Sequence, residues 1–322
     1  MHDRYGREID YARVSITDRC NLRCVYCMPE EGVEKLAHHD ILSYEDIVRV
    51  CRCFAVLGIR KIKVTGGEPL VRENASQLIR VLKQLEGIEQ VAMTTNGILL
   101  AKYASALRNA GLDGINISLD TLNPELYRHM TRWGMVDKVL KGIDAALTAG
   151  IPVVKVNCVP AGGINLQDIL QVALLAKERD IHVRFIEMMP MGLGVGFDRI
   201  DNHRICNLLE AEFGMMTPWF GKLGNGPAIY GTFPAFRGKI GFISALGDCF
   251  CERCNRIRLT AEGIIRPCLH SEDGILLKTA LKQKDDGLLM KYIQLAIWQK
   301  PERHGFLNEK RSGRKIMSQI GG

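Results

Sequence analysis

Between residues 13 and 186, short β-rich runs alternate with longer stretches of helical periodicity. That alternation leaves few folds open. Strands are predicted at Arg13–Thr17, Lys61–Thr65, Val91–Thr95, Gly114–Leu119, Val153–Val159 and His182–Ile186. Helices are predicted near Ser43–Leu57, Asn74–Leu85, Leu100–Ala110, Met135–Ala149 and Leu166–Lys177. Ser43 reads as an N-cap, with Asp46 placed like the acid of a capping box. Gly58, Gly111 and Gly150 stand where helices end. Strand followed by helix builds parallel βαβ units, and about six in a row build a barrel or part of one.

The pattern inside the strands says what kind of barrel. Arg13, Ser15 and Thr17 share one face, Val14 and Ile16 the other. Lys61, Lys63 and Thr65 oppose Ile62 and Val64; Asn116, Ser118 and Asp120 oppose Ile115, Ile117 and Leu119; Lys155 and Asn157 oppose Val154 and Val156. Successive side chains point to opposite faces. The apolar face must meet the outer helices, so the polar face points inward. An ordinary eight-stranded barrel fills its interior with branched apolar side chains. A polar, cationic interior is predicted to hold a ligand instead, and six strands leave one side open. After the connection Gly192–Gly196 the pattern breaks into short strands and glycine-rich turns, including Lys239–Ser244 and Arg256–Thr260. The expected division is residues 1–192 for a partial (β/α)6 barrel of TIM type. Residues 193–322 are expected to form an α+β extension that covers its open side.

The first strand runs into Cys20, Cys24 and Cys27, spaced C-x3-C-x2-C. Three thiolates on one loop can hold three corners of an iron–sulfur cube. A four-iron site wants four ligands, so one iron stays open, as in catalytic metal sites. Zinc and free buried thiols are the alternatives. Zinc sites usually add a distant pair of cysteines or histidines, and Tyr26 just before the last cysteine suits a tight zinc knuckle poorly. Cys251, Cys254 and Cys268 form a second set, spaced C-x2-C-x13-C. Here the alternative is a structural zinc with Cys249 or His270 as fourth ligand. Between these cysteines, Arg256 and Arg258 share a strand face and can fork onto phosphate or carboxylate.

The chain contains eleven cysteines in 322 residues, and Cys51, Cys53, Cys158, Cys206 and Cys249 are scattered. With no secretory signal at the N-terminus, this cysteine content points to metal rather than a disulfide framework. No apolar run reaches about eighteen residues, so no membrane span is expected. The expected location is the cytoplasm. The net charge of +7 suits an anionic substrate. No basic tract argues for nucleic acid.

Gly66-Gly67-Glu68-Pro69 follows the second strand, where glycines let backbone approach a ligand closely. With the C-x3-C-x2-C loop, this segment resembles the radical S-adenosylmethionine (SAM) enzymes. More narrowly, five features resemble the GTP 3′,8-cyclase (MoaA) family, which opens molybdenum cofactor biosynthesis. They are residues 18–29, Thr65–Pro69, Arg184–Pro190, the Cys-x2-Cys-Asn-Arg-x-Arg run at 251–258, and a terminal Gly321-Gly322. The resemblance implies that Cys20, Cys24 and Cys27 hold a [4Fe-4S] cluster for SAM. Cys251, Cys254 and Cys268 would hold a second whose open iron meets guanine. It implies SAM contacts at Tyr26, Gly67, Glu68, Ser118 and Met189. It implies GTP contacts at Arg13, Lys63, Thr94, Lys155, Arg256, Ile257 and Arg258, and a Gly321-Gly322 tail reaching the site. Lys63 stands where the family more often has arginine, which keeps the charge but loses the bidentate fork. Ala245-Leu246 replace a stretch where proline is common.

The implied activity is that of a lyase. A 5′-deoxyadenosyl radical takes the C3′ hydrogen of GTP, and C3′ joins guanine C8 to give 3′,8-cyclo-7,8-dihydro-GTP. The implied partners are GTP, SAM, an unidentified electron donor, a second copy in a homodimer, and a cyclic pyranopterin monophosphate synthase acting on the product. Two rivals are a peptide-modifying radical SAM enzyme with an auxiliary cluster and a non-catalytic metal protein that binds nucleotides. Two clusters acting on one substrate require both cysteine triads on one cavity.

Overall fold

The computed structural model describes residues 1–221, 223–247, 249–271 and 273–306. Gly321 and Gly322 lie outside the described residues. The predicted βα alternation is present. Its strands are β1 (Tyr11–Ser15), β2 (Lys61–Thr65), β3 (Gln90–Thr95), β4 (Gly114–Ser118), β5 (Val154–Cys158) and β6 (His182–Ile186). Its helices are α1 (Tyr44–Val56), α2 (Ala75–Lys83), α3 (Leu100–Asn109), α4 (Pro124–Thr131), α5 (Val136–Thr148) and α6 (Ile169–Glu178). Ser43 caps α1 by accepting from the Asp46 amide at 3.0 Å. Gly58, Gly111 and Gly150 follow helix ends at φ of +87°, +88° and +72°, values that favour glycine. Helix α4 is absent from the sequence-based prediction. Its eight residues are too few to show a period, although Asn123 caps it by accepting from the Glu125 and Leu126 amides.

The remaining elements are α7 (Asn202–Phe213), β7 (Thr217–Trp219), β8 (Ile229–Thr232), β9 (Ile240–Ile243), β10 (Arg256–Leu259), β11 (Ile264–Arg266), β12 (Ile275–Leu276), α8 (Lys278–Lys282) and α9 (Asp286–Trp298). Among the described residues the twelve strands form one sheet in the order β12-β11-β10-β1-β2-β3-β4-β5-β6-β9-β8-β7. The partial (β/α)6 barrel is there, and the C-terminal region adds strands to its wall. Strand β9 adds in parallel to β6, and β10 adds in parallel to β1, so the barrel wall lengthens at both edges.

The wall is buried on both faces, as parallel sheets are. Ile62, Val64, Ile115, Ile117, Val156, Val183 and Phe185 pack outward into one continuous apolar core. The inner face is polar and still buried: Ser15, Lys63, Thr65, Asn116, Lys155 and Arg184 are all largely inaccessible to solvent. Lys61 departs from the expected inward set. It sits at the start of β2 and pairs with Asp10 at 2.6 Å. Register puts the inner residues side by side, with Arg13 opposite both Lys63 and Arg258, Asn116 opposite Lys155, and Asn157 opposite Arg184. Among the described residues no helix is long and apolar enough to cross a membrane.

Ile257 lies between the inward Arg256 and Arg258, so its side chain turns outward, fully buried in the core. Truncation there should behave as a core deletion. Ile257→Ala is expected to cost about 2–5 kcal/mol, read as a lowered urea midpoint of unfolding.

Candidate active site

The Cys20–Cys27 loop is gripped from two sides. On one side the Gly67 amide donates to the Thr17 carbonyl and the Glu68 amide to the Arg19 carbonyl, both at 2.8 Å. A Cβ on Gly67 would lie 2.4 Å from the Arg19 carbonyl oxygen, so only glycine permits this approach. On the other side the loop rests on the end of α4. The Val25 amide donates to the Met130 carbonyl at 2.9 Å, and the Arg23 amide to the Thr131 carbonyl at 3.2 Å. The Trp133 indole donates to the Asn21 carbonyl at 2.8 Å. The Asn96 amide group donates to the Asn21 side chain at 2.7 Å.

Glu68 acts behind this loop. Its buried carboxylate accepts from the Asn96 amide, the Thr95 hydroxyl and the Leu70 amide at 2.6, 2.7 and 3.0 Å. It therefore positions Asn96, which holds the loop. Burial raises Glu68 to about 7, against the pull of those donors. Tyr26 donates to Asp120 at 2.5 Å. Asp120 also accepts from the Val159 amide at 2.8 Å, and burial lifts it to about 6.

The second triad hangs between β10 and the 300–306 segment. Lys300 donates from its ammonium to the Arg256 and Pro267 carbonyls at 2.8 and 2.7 Å. Arg7 reaches in from the N-terminus. It donates to the Cys251, Glu302 and Pro301 carbonyls at 2.8, 2.9 and 2.7 Å while pairing with Asp3 at 2.6 Å. On the barrel side, Glu187 accepts from the Leu246 and Gly247 amides at 2.7 and 3.2 Å, fixing the loop after β9.

Cys20, Cys24 and Cys27 line the same cavity, of about 340 Å³, as Cys251, Cys254 and Cys268. That volume falls in the range of small-molecule sites. Tyr26, Gly67, Ser118 and Met189 line it, as do Arg13, Arg256 and Arg258, and Thr94 is also on its wall. Lys63 and Lys155 do not line this cavity, although both are buried. The Lys155 ammonium is capped by the Leu223 carbonyl at 2.8 Å. Glu68 and the Ile257 side chain also lie off the cavity wall. Sequence reasoning gave no role to Arg184, Asn96, Glu187, Arg7, Lys300 or His304. Arg184 was within reach of it, because it shares the inward face of β6 as Lys155 does that of β5.

The cations crowd one another. Burial first, then Arg184, Lys155, Arg13 and Arg256, hold Lys63 well below the ordinary lysine range. Burial, then Arg13 and Arg256, push Arg258 down. Burial, with Arg184 adding, brings Lys155 to about 7. Buried like charges of this kind are relieved by an anion.

The thiols test the fit of a metal group. All eleven cysteines are free. Burial raises the Cys20 and Cys24 thiols, so a bound cation is needed to hold them as thiolates. Cys254 differs: burial pushes it up, but Arg256 and Lys300 bring it down to about 6. Among the described residues the only three metal-ligand atoms within 4.8 Å of one another are on Cys249, Cys251 and His304. Neither triad is drawn in around a single ion. Thiols spread along a cavity wall suit a cube better than one zinc.

Residues 14–191 match the radical SAM superfamily model, and residues 181–306 match the model named Molybdenum Cofactor Synthesis C. The chain belongs to the radical SAM superfamily. The GTP 3′,8-cyclases of Heliobacterium modesticaldum and Pelotomaculum thermopropionicum are 47% and 44% identical to it, and that of Clostridium perfringens is 43% identical. Each match covers 100% of both chains. Within the superfamily the chain therefore belongs to the family of the GTP 3′,8-cyclases. Streptococcus suis SuiB bound to its precursor peptide SuiA shares the fold, with a TM-score of 0.65 at 14% identity over 98% of this chain and 77% of that one.

Two outcomes follow from the geometry. Gly67→Ala must displace the Arg19 backbone, so iron retained after anaerobic reconstitution should drop by about half, with the second triad still loaded. A polyphosphate reaching Lys155 would restore its proton toward the ordinary value of 10.5, whereas the free site releases it near 7. Binding then takes up a proton between those values. Affinity for inorganic triphosphate should be full below pH 7 and fall as pH rises from 7 toward 10, measured by calorimetry.

Proposed function

We propose that this chain is a GTP 3′,8-cyclase that forms 3′,8-cyclo-7,8-dihydro-GTP at the first step of molybdenum cofactor synthesis. The observation that carries the reading is one cavity walled by two open cysteine triads and a fan of buried cations. Cys20, Cys24 and Cys27 hold one [4Fe-4S] cluster, and Cys251, Cys254 and Cys268 hold the other. A reduced cluster held there, with SAM bound, would supply the chemistry of a 5′-deoxyadenosyl radical, the species that takes the C3′ hydrogen of the substrate.

The chain's own residues do the positioning. Tyr26, Gly67, Ser118 and Met189 form the SAM side, with Tyr26 fixed by Asp120. Glu68 holds the Asn96 turn from behind. Arg13, Arg256 and Arg258 face the triphosphate, with Thr94 between the two halves. Lys63, Lys155 and Arg184 are buried on the same inner face of the sheet but off the cavity wall. A phosphate reaching Lys155 would displace the Leu223 carbonyl from its ammonium. The buried wall keeps water from a reactive primary radical and leaves one C–H bond within its reach. The barrel of residues 1–192 thus makes the radical, and residues 193–322 present the purine.

The reductant is a separate electron donor, the product passes to a cyclic pyranopterin monophosphate synthase, and the working form is a cytoplasmic homodimer. Eleven reduced thiols fit a reducing compartment.

Anaerobic reconstitution should give about eight irons per chain, and Cys→Ser at either triad about four. With GTP, SAM and dithionite, 5′-deoxyadenosine should form only when GTP is present, together with a cyclised isomer seen by mass spectrometry. GTP-independent 5′-deoxyadenosine formation without that product would overturn the assignment.

A further inference from the structure

One metal-ligand group is distinct from both triads, though it shares Cys251 with the second. Cys249 and His304 gather on Cys251, and the three ligand atoms lie within 4.8 Å of one another. The Cys249 Sγ and His304 Nε2 are 3.4 Å apart. Zinc bonds of about 2.3 Å to sulfur and about 2.1 Å to nitrogen, spread tetrahedrally, set those atoms about 3.6 Å apart. The spacing therefore suits one ion held between them. Thiolates on different irons of one cube stand farther apart than this cluster allows. Cys249 is thus no fourth ligand for the second cluster.

We propose that Cys249, Cys251 and His304 form a mononuclear zinc site, and that zinc there and an iron–sulfur cluster at the second triad exclude each other. Both draw on the Cys251 thiolate, and an ion that holds this sulfur against Cys249 and His304 keeps it from the corner of the cube it would otherwise fill. The exclusion, though not the zinc site itself, rests on the function proposed above.

The surroundings complete the site. His304 Nε2 lies 2.7 Å from the Ala245 carbonyl, with which it shares a proton when no metal is bound. For Nε2 to take the ion, the imidazole must carry its N–H on Nδ1, which must then give up the 3.4 Å contact from the Phe306 amide; the Ala245 carbonyl, or a water, is left beside the fourth position. The His304 backbone amide donates toward the Cys251 sulfur at 3.4 Å. Arg7 clamps Cys251 to the 301–302 carbonyls, so the thiol and the histidine segment approach as one unit. Two thiolates and an imidazole are borderline-soft donors, which select zinc over magnesium or calcium. A chain that meets zinc first would be shut out of its second cluster until the ion is removed.

The test titrates the metal-free full-length chain with zinc against a chromophoric chelator, with cobalt as the spectroscopic stand-in. Cys249→Ser and His304→Gln should each lose one tight equivalent and its tetrahedral cobalt bands. The loss should be about a hundredfold in affinity, since removing even an outer-shell partner costs about ten to a hundredfold. Cys254→Ser and Cys268→Ser should keep that equivalent. Any other pattern overturns the site. In a second arm, the zinc-loaded chain should take up about four fewer irons than the metal-free chain. The same treatment should leave Cys249→Ser at full iron uptake. Equal uptake by zinc-loaded and metal-free chains would overturn the exclusion. If the metal-free wild type never loads its second triad, the functional reading fails while the zinc titration still reports on this site.

Discussion

Like charges buried together on one face of a sheet set the terms for the rest of this molecule. Arg13, Lys63, Lys155, Arg184 and Arg258 share the inner wall, and burial together with their neighbours depresses Lys63, Lys155 and Arg258. A folded chain keeps such a cluster only if something else makes the fold stable. Here the outward faces of the same strands do so, packing Ile62, Val64, Ile117, Val156 and Phe185 against the helices. Period-two alternation thus separates two tasks along each strand. One face supplies cohesion, and the other stores electrostatic work that a polyanionic ligand can release.

The wall must also be long enough for two metal groups to face one space. Six strands carry one triad. Strand β10 docks beside β1 and places Arg258 opposite Arg13, which brings the second triad to the same cavity. Strand β9 does the same at the other edge, where Glu187 holds the loop that follows it. The N-terminal arm then ties the assembly together through Arg7, whose guanidinium spans the Cys251 and 301–302 backbones. Radical chemistry needs this rigidity, because a primary radical selects by distance.

Much of this was legible from residues alone. The six βα units follow from alternation, and Ser43 and the glycines after the helices behave as their types require. Other features were invisible for identifiable reasons. Helix α4 is too short to show a period, yet its last carbonyls hold the cysteine loop. Arg7 and Lys300 look like surface charges until packing sets them against the carbonyls of residues 251, 301 and 302 and of 256 and 267. The place of Glu68 after Gly67 gave no sign that its carboxylate would accept from the Leu70, Thr95 and Asn96 donors. Ile257 sits between two inward-facing arginines, and strand geometry alone sends its side chain the other way.

The sequence by itself determined the barrel, the polarity of its interior and the two sets of thiols. These depend on local spacing: two residues per strand repeat, and two to thirteen residues between cysteines. Only the tertiary structure decided that β9 and β10 would flank the barrel, that both triads would share one cavity, and that Cys249 and His304 would meet at Cys251. Those pairings join residues tens to hundreds of positions apart. No local periodicity encodes them, because they form only when many weak contacts across the sheet are made at once.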